Sequence, residues 1–209
     1  MYPFIKRCLD VAISSIALIC LLPLLAVLAI LVKLDSPGPA LFRSRRLGMN
    51  GVPFTMYKFR SMRRNAARQE NADGSCRGVK GDPRITRVGR ILREFSLDEL
   101  PQLWNVLIGD MSLIGPRPDE VAEAIYYDDL LRGKLRVRPG ITNLPAVRGR
   151  NSLSWKKRAE LDNFYVDHLS FGLDLEILVR TPLVVLSRKG VYTPSAQASG
   201  TSTPETSRT

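Results

Sequence analysis

Cysteine and histidine are almost missing from this 209-residue chain: Cys8, Cys20 and Cys76 share no CxxC spacing, and His168 is the single histidine. That scarcity excludes a disulfide framework and a zinc site built from His and Cys. It also leaves no nucleophilic Ser, Cys or His constellation, and it suits a reducing cytoplasm. A metal must then be held by carboxylates and substrate oxygens, which favours a hard cation such as magnesium. Acidic residues are in short supply as well, with 20 Asp and Glu against 31 Lys and Arg, a formal charge of +11. The partners favoured by that balance are polyanions: nucleic acid, anionic lipid headgroups or phosphorylated substrates. Internal repeats are absent, and the length suits one core plus a membrane element rather than two domains.

Charge is missing altogether from residues 11–32, with Lys6, Arg7 and Asp10 before the run and Lys33 and Asp35 after it. The run exceeds the roughly 20 apolar residues of a membrane span, which disfavours a core helix, and it lacks the cleavage site of a removable signal. Pro23 in its middle removes a backbone hydrogen bond and predicts a kink. Neither half, 11–22 or 24–32, can span alone. Positive residues flank both ends, Lys6 and Arg7 on one side and Lys33, Arg43, Arg45 and Arg46 on the other, so both ends are expected in the cytoplasm and the helix is expected to be re-entrant.

The spacing beyond predicts a small β-hairpin, with strands over 40–46 and 52–61 joined at Asn50 and Gly51. Lys58 and Arg60 share one face of its second strand, and on spacing alone that face reads as solvated. Residues 63–82 are polar and without period, a loop expected to be mobile. Thr86 is placed to cap a helix whose stripe is Val88, Ile91, Leu92 and Phe95. A second helix is predicted over 97–107 and ended by Gly109, followed by a proline-stiffened segment around Arg117. Residues 136–151 read as loop, offering Arg138, Arg148 and Arg150 to anions. Ser154 caps a further helix containing Trp155, Leu161, Phe164 and Tyr165. Residues 173–186 are apolar but carry Asp174, Glu176 and Arg180, which fits a surface helix better than a second span, with Pro182 as a bend or break. The Ser, Thr and Pro-rich tail, 193–209, is expected to be disordered.

Ser96, Leu97, Asp98, Glu99, Leu100 and Pro101 put two adjacent carboxylates at a helix start. A capping box of Ser96 and Glu99 accounts for them structurally. Arg93 just upstream, the basic surroundings and the lack of another nucleophile favour phosphate chemistry instead, in which a carboxylate attacks phosphorus while magnesium and arginines neutralise the phosphoryl oxygens.

The motifs YKFRSM at 57–62, DPRITRVGRILREFSLDELPQLWNVLIGDMSLIGPRP at 82–118 and RPGIT at 138–142 resemble the bacterial sugar transferase family, the monotopic polyprenyl-phosphate phosphoglycosyl transferases. The resemblance extends over residues 6–191 and to the minimal, single-domain form. It implies an α+β, mainly helical fold: a re-entrant membrane helix (1–35), a cytoplasmic catalytic domain (36–192) with surface amphipathic helices, and the tail. It implies that Asp98 attacks the β-phosphate of a UDP-sugar, releases UMP and passes the phosphosugar to polyprenyl phosphate. Glu99 completes the acidic pair, Asp98 also contacts magnesium, and Lys58, Arg93, Arg117 and Arg150 surround the phosphates and nucleotide. Implied partners are the UDP-sugar, polyprenyl phosphate and membrane lipid, with no nucleic acid, at the cytoplasmic face of the bacterial inner membrane; a homodimer is left open. The chain departs from the family where Asn143, Leu144, Pro145 and Ala146 follow PGIT in place of the usual Gly and Gln, residues that bear on sugar identity. It departs again at Leu22, where members often have Ser before the membrane proline. The competing expectation is a membrane-tethered basic protein that binds nucleic acid or anionic lipid without catalysis, salt-sensitive and indifferent to Asp98→Asn.

Overall fold

The computed structural model describes residues 1–64 and 81–188. The expected loop tip at 65–80, Cys76 within it, and the tail from 193 lie outside the described residues. The fold is mainly helical with short strands.

Helix α1, Tyr2–Asp35, takes up the whole apolar run and continues through Pro23, which sits in its interior without ending it. At 1.5 Å per residue it is about 50 Å long. By length and composition it is able to cross a membrane, with a mean hydropathy of 3.0 over its most apolar window. Ser14 and Ser15 bond back to the carbonyls of Asp10 and Val11, a local exchange that keeps these hydroxyls inside the helix.

Both ends of α1 are tied to the rest of the chain. Near the start, Tyr2 and Lys6 donate to the Asp174 carboxylate, Arg7 donates to the carbonyls of Val106 and Leu107, and Asp10 accepts from the Leu113 amide. At the other end, the Arg60 guanidinium donates to the carbonyls of Val32, Ser36 and Pro37, satisfying acceptors a helix terminus leaves open. Leu28 and Val32 pack with Phe59 and Leu92 there. Between these anchors Ile16, Ile19, Leu22 and Leu24 are exposed.

Strands β1 (Leu41–Leu47) and β2 (Pro53–Phe59) form the expected antiparallel hairpin, Leu41 opposite Phe59 and Leu47 opposite Pro53. Its turn places Asn50 and Gly51 at φ 58° and 75°, the left-handed backbone that Asn and Gly tolerate best. Phe54 and Met56 face inward onto Val106 and Met111. The buried Asn105 side chain accepts from the Tyr57 amide and donates to the Thr55 carbonyl, which fixes the strand just before Lys58.

Helix α2 (Arg87–Glu94) begins at Thr86, whose side chain accepts from the Gly89 amide as expected. Of its stripe, Leu92 is buried and Val88 packs, but Ile91 is exposed. The predicted helix over 97–107 is two pieces: a turn of 3₁₀ helix, Leu97–Glu99, then α3 (Gln102–Ile108), closed by Gly109 at φ 102°. Pro101, which cannot donate, stands between them.

Sequence reasoning missed a parallel pair, β3 (Ser112–Ile114) with β4 (Gly140–Thr142). Strands of three residues carry too little alternation to be read. A Cβ on Gly115 or Gly140 would collide with the opposite backbone, so the approach depends on both glycines. Helices α4 (Asp129–Gly133), α5 (Leu144–Arg148), α6 (Trp155–Asp167) and α7 (Phe171–Ser187) complete the body. The Asn143 side chain caps α5 by accepting from Ala146, so the departure from the family pattern at 143–146 starts a helix. Ser154 caps α6 as expected, and Pro182 lies inside α7 without breaking it. On α7, Ile177 is buried, while Leu175, Val179, Leu183 and Leu186 are exposed.

Candidate active site

The acidic pair is positioned by a reversal of the chain after α2. Ser96 sits at φ 55°, a left-handed conformation that is unfavourable for an L-residue without a local partner. Its hydroxyl accepts from the Arg150 guanidinium at 2.9 Å, and Arg150 is itself at φ 53°. The capping box expected of Ser96 and Glu99 does not form, because Ser96 makes no side-chain cap bond and Glu99 is engaged elsewhere. Leu97 and Leu100 pack against the cluster of Leu28, Val32, Phe59 and Leu92. Asp98 and Glu99 are thereby directed into a cleft of about 1640 Å³.

The two carboxylates differ in their partners. Glu99 Oε1 accepts from Lys58 Nζ at 3.0 Å and from both terminal nitrogens of Arg117 at 3.1 Å. Burial pushes its carboxyl up, but Lys58 and Arg117 outweigh that and hold it below the usual range, at about 2. The expectation that Lys58 and Arg60 lie on a solvated face is corrected: Lys58 is 14% exposed and bonded to Glu99, and Arg60 is buried at the end of α1. Arg117 is half exposed.

No hydrogen bond or ion pair reaches Asp98 among the described residues. Burial pushes its carboxyl up, to about 6; Lys58, Arg93 and Arg117 pull the other way and the Glu99 charge adds to the rise. One member of the pair is therefore a fixed anion that holds cations in place. Its neighbour is a desolvated, free carboxylate with unspent nucleophilicity.

Arg93, from the last turn of α2, lines the same cleft with a buried Nη1 that has no hydrogen-bond partner. A buried donor left unpaired calls for an acceptor, and an incoming phosphate is one. Arg150 lines the cleft as well. All six sequence-derived site residues, Asp98, Glu99, Lys58, Arg93, Arg117 and Arg150, thus converge on one space. Arg138 and Arg148, also offered as anion ligands, do not join them: Arg138 donates to the Gly109 carbonyl and Arg148 to Glu176.

Among the described residues no three His, Cys, Asp or Glu side chains gather as a metal cluster. Magnesium nonetheless fits the donors present. It commonly takes one or two carboxylates and fills its shell with water and phosphate oxygens, and the unbonded Asp98 carboxylate offers such a hard oxygen ligand.

Reasoning from sequence missed the far wall of the cleft, where Arg46, Asp119, Lys134, Trp155 and Asp162 lie. Lys134 donates to Asp119, and Tyr127 donates to the same carboxylate. A signal was available on α6, where Trp155, Arg158, Ala159 and Asp162 recur at i, i+3, i+4 and i+7, a helical face that mixes an aromatic ring with charge.

A long apolar helix, bonded at both ends to a body whose cleft gathers cations around two carboxylates, is consistent with membrane association and with a cleft that attracts anions. The chain belongs to the bacterial sugar transferase family, whose model matches residues 1–188. It is 42% identical over 195 residues to the UDP-glucose:undecaprenyl-phosphate glucose-1-phosphate transferase of Caulobacter vibrioides, covering 90% of this chain and 72% of that one. It is also 42% identical to the undecaprenyl-phosphate galactose phosphotransferase of Salmonella typhimurium, covering 90% of this chain and 42% of that longer protein. A third relative, the exopolysaccharide production protein ExoY of Sinorhizobium fredii, is 42% identical over 88% of this chain and 86% of its own length. Relatives named for glucose and for galactose are equally similar, so identity alone does not select the sugar.

Proposed function

We propose that this chain transfers a phosphosugar from a UDP-sugar to polyprenyl phosphate, undecaprenyl phosphate in bacteria, as a membrane step of glycoconjugate synthesis. An Asp98 carboxylate oxygen attacks the β-phosphorus. The bond from that phosphorus to the bridging oxygen breaks, UMP departs with the oxygen, and the phosphosugar remains on Asp98 as an acyl phosphate. A phosphate oxygen of the polyprenyl phosphate then attacks the same phosphorus and restores the carboxylate. The observation that carries this reading is the contrast within the acidic pair: Glu99 is bonded to Lys58 and Arg117, while Asp98, next to it in the same cleft, is free.

Each remaining residue has a role that follows from its partners. Glu99 positions Lys58 and Arg117; Arg117 and the unpaired Arg93 Nη1 face the phosphoryl oxygens, where charge develops. Arg150 holds Ser96, and so the turn that carries Asp98. A magnesium ion held by Asp98 and the phosphates would supply charge neutralisation. One-sided attachment is supported by the bonds at both ends of α1, since one folded body cannot sit on both sides of a bilayer, and the positive residues flanking α1 favour the cytoplasmic face of the inner membrane as that side. The exposed middle of α1, around Ile16, Ile19 and Leu22, is then the part that enters lipid.

The test is incubation of detergent-solubilised protein with magnesium, undecaprenyl phosphate and a panel of UDP-sugars led by UDP-glucose and UDP-galactose. UMP release is expected, and labelled phosphosugar should be trapped on the wild type when the lipid is omitted. Release of UDP, or equal trapping on Asp98→Asn, refutes the reading.

A further inference from the structure

The far wall of the cleft contains a carboxylate that the transfer chemistry does not use. Asp162 is 4% exposed, and its Oδ1 is buried without a hydrogen-bond partner. No hydrogen bond or ion pair to either of its oxygens forms among the described residues. Lys134 and Arg158 are near enough to influence its charge, yet Lys134 donates to Asp119 and to the Arg117 carbonyl instead. Burial pushes the Asp162 carboxyl up, to about 7, against the pull of Lys134. An unpaired buried carboxyl is costly, and a fold that keeps one beside its substrate cleft has a reason to do so.

We infer that Asp162, with Trp155 about two turns away on the same face of α6, is the seat of the sugar ring, its carboxyl accepting hydrogen bonds from sugar hydroxyls. Three observations support the assignment, which rests on the function proposed above. First, Trp155, Arg158, Ala159 and Asp162 all line the cleft that holds Asp98, so one helix face lies across it. Second, Arg117 both bonds Glu99 and acts electrostatically on Asp162, which sets this wall next to the phosphate site, where a sugar linked to the β-phosphate must lie. Third, the chemistry selects the sugar over the base. A carboxylate is an acceptor, and a sugar presents several hydroxyl donors, while uracil presents a single N–H donor with two carbonyl acceptors. An aromatic ring beside such an acceptor gives the apolar face of a sugar a surface to pack on.

The inference predicts that Asp162→Asn raises KM for the accepted UDP-sugar and lowers kcat/KM about tenfold or more, the worth of a hydrogen bond to a charged group. Inhibition by UMP, which carries the nucleoside but not the transferred sugar, should stay within about twofold of wild type. A loss of UMP inhibition in parallel with the UDP-sugar places the contact on the ribose and overturns the assignment; unchanged kinetics overturn it outright. If Asp162→Asn fails to fold, wild-type protein decides the matter with UDP-sugars lacking one hydroxyl each. At least one should lose about tenfold in kcat/KM, and tolerance of every deletion refutes the sugar seat. Wild-type protein that releases no UMP from any UDP-sugar refutes the parent function too, whereas UMP release indifferent to these changes refutes the sugar seat alone.

Discussion

Replacing Asp98 with Asn should stabilise the protein while abolishing transfer. The carboxyl is raised from its ordinary 3.8 to about 6 because burial opposes its charge more than Lys58, Arg93 and Arg117 favour it. A group whose folded value lies above its unfolded value costs stability once it is ionised. At 1.36 kcal/mol per unit, the cost at neutral pH is at most about 3 kcal/mol. Asparagine keeps the shape and removes the charge, so it should recover much of that amount. For a chain of this size the gain is roughly 6 °C in Tm, at 2–4 °C per kcal/mol.

The stability difference depends on pH. Below the unfolded value near 3.8 both forms of the carboxyl are protonated and the two proteins should melt together. Between about 4 and 6 the gap should open, and above about 6 it should be constant. Glu99 acts in the opposite sense, because its folded value of about 2 lies below its ordinary 4.5 and its contribution is lost as pH falls. It is present in both proteins and largely cancels in the difference. Thermal unfolding of both in one detergent, from pH 4 to 8, is the assay. An Asp98→Asn protein that melts lower than wild type at pH 7, or a gap that does not narrow on acidification, refutes the argument that Asp98 is a desolvated and unpartnered charge.

Wild-type kcat/KM for the UDP-sugar should fall tenfold per pH unit below about 6, where Asp98 takes up its proton, and a rate flat down to pH 4.5 contradicts the nucleophile assignment. Glu99→Gln should do the reverse of Asp98→Asn and lower Tm, by roughly 2–4 kcal/mol of stability, since it strips Lys58 of its counter-ion; calorimetry checks it, and a neutral effect speaks against the bonded pair. Gly115→Ala should cost about 3 kcal/mol or prevent folding, because the added methyl meets the Arg138 and Gly140 backbone across β3 and β4, and a wild-type melting curve contradicts that close approach. In a variant free of Cys8, Cys20 and Cys76, single cysteines at Tyr2 and at Ser36 should both resist a membrane-impermeant thiol reagent in intact cells and react after lysis; reaction of one alone in intact cells shows a crossing helix.

The elements legible in the sequence are those set by local chemistry. Thr86, Ser154, Asn50 with Gly51, and Gly109 act within a few residues of themselves, and each does in the fold what its neighbours predict. Ser96 misled for the same reason: its spacing to Glu99 satisfies the local rule, but Arg150, distant in sequence, takes its hydroxyl, and Lys58 and Arg117 take Glu99. Asp98, Glu99, Arg93 and Arg150 are legible from charge and position, but Lys58 is placed at the site only by the family motif, since periodicity alone assigns it to solvent. Asp162 was not found, because its meaning comes from what it lacks once the chain is folded, and a missing partner leaves no mark on a sequence.

The polar bonds of the hairpin tie the end of the apolar helix to the acidic pair. Lys58 and Arg60 stand two residues apart, roughly 7 Å of extended backbone. One bonds Glu99 beside Asp98, and the other bonds the carbonyls where α1 ends. From that same end, Asp35 accepts from the Val88 amide in the first turn of α2, and α2 delivers Arg93 to the cleft. Ala29 and Lys33 of α1 line the cleft directly. The end of the apolar helix is thus fixed to the acidic pair by short, bonded paths on two sides. On the function proposed above, a polyprenyl phosphate whose chain lay in lipid beside α1 would have its phosphate at this end of the helix, within reach of Lys33. Such an acceptor would need no long channel to reach Asp98, and a water-soluble donor would enter from the side of the half-exposed Arg117. On that proposal, two substrates of opposite solubility would meet at one carboxylate because the residues that follow one another along the hairpin, Lys58 and Arg60, bond Glu99 and the end of the apolar helix in turn.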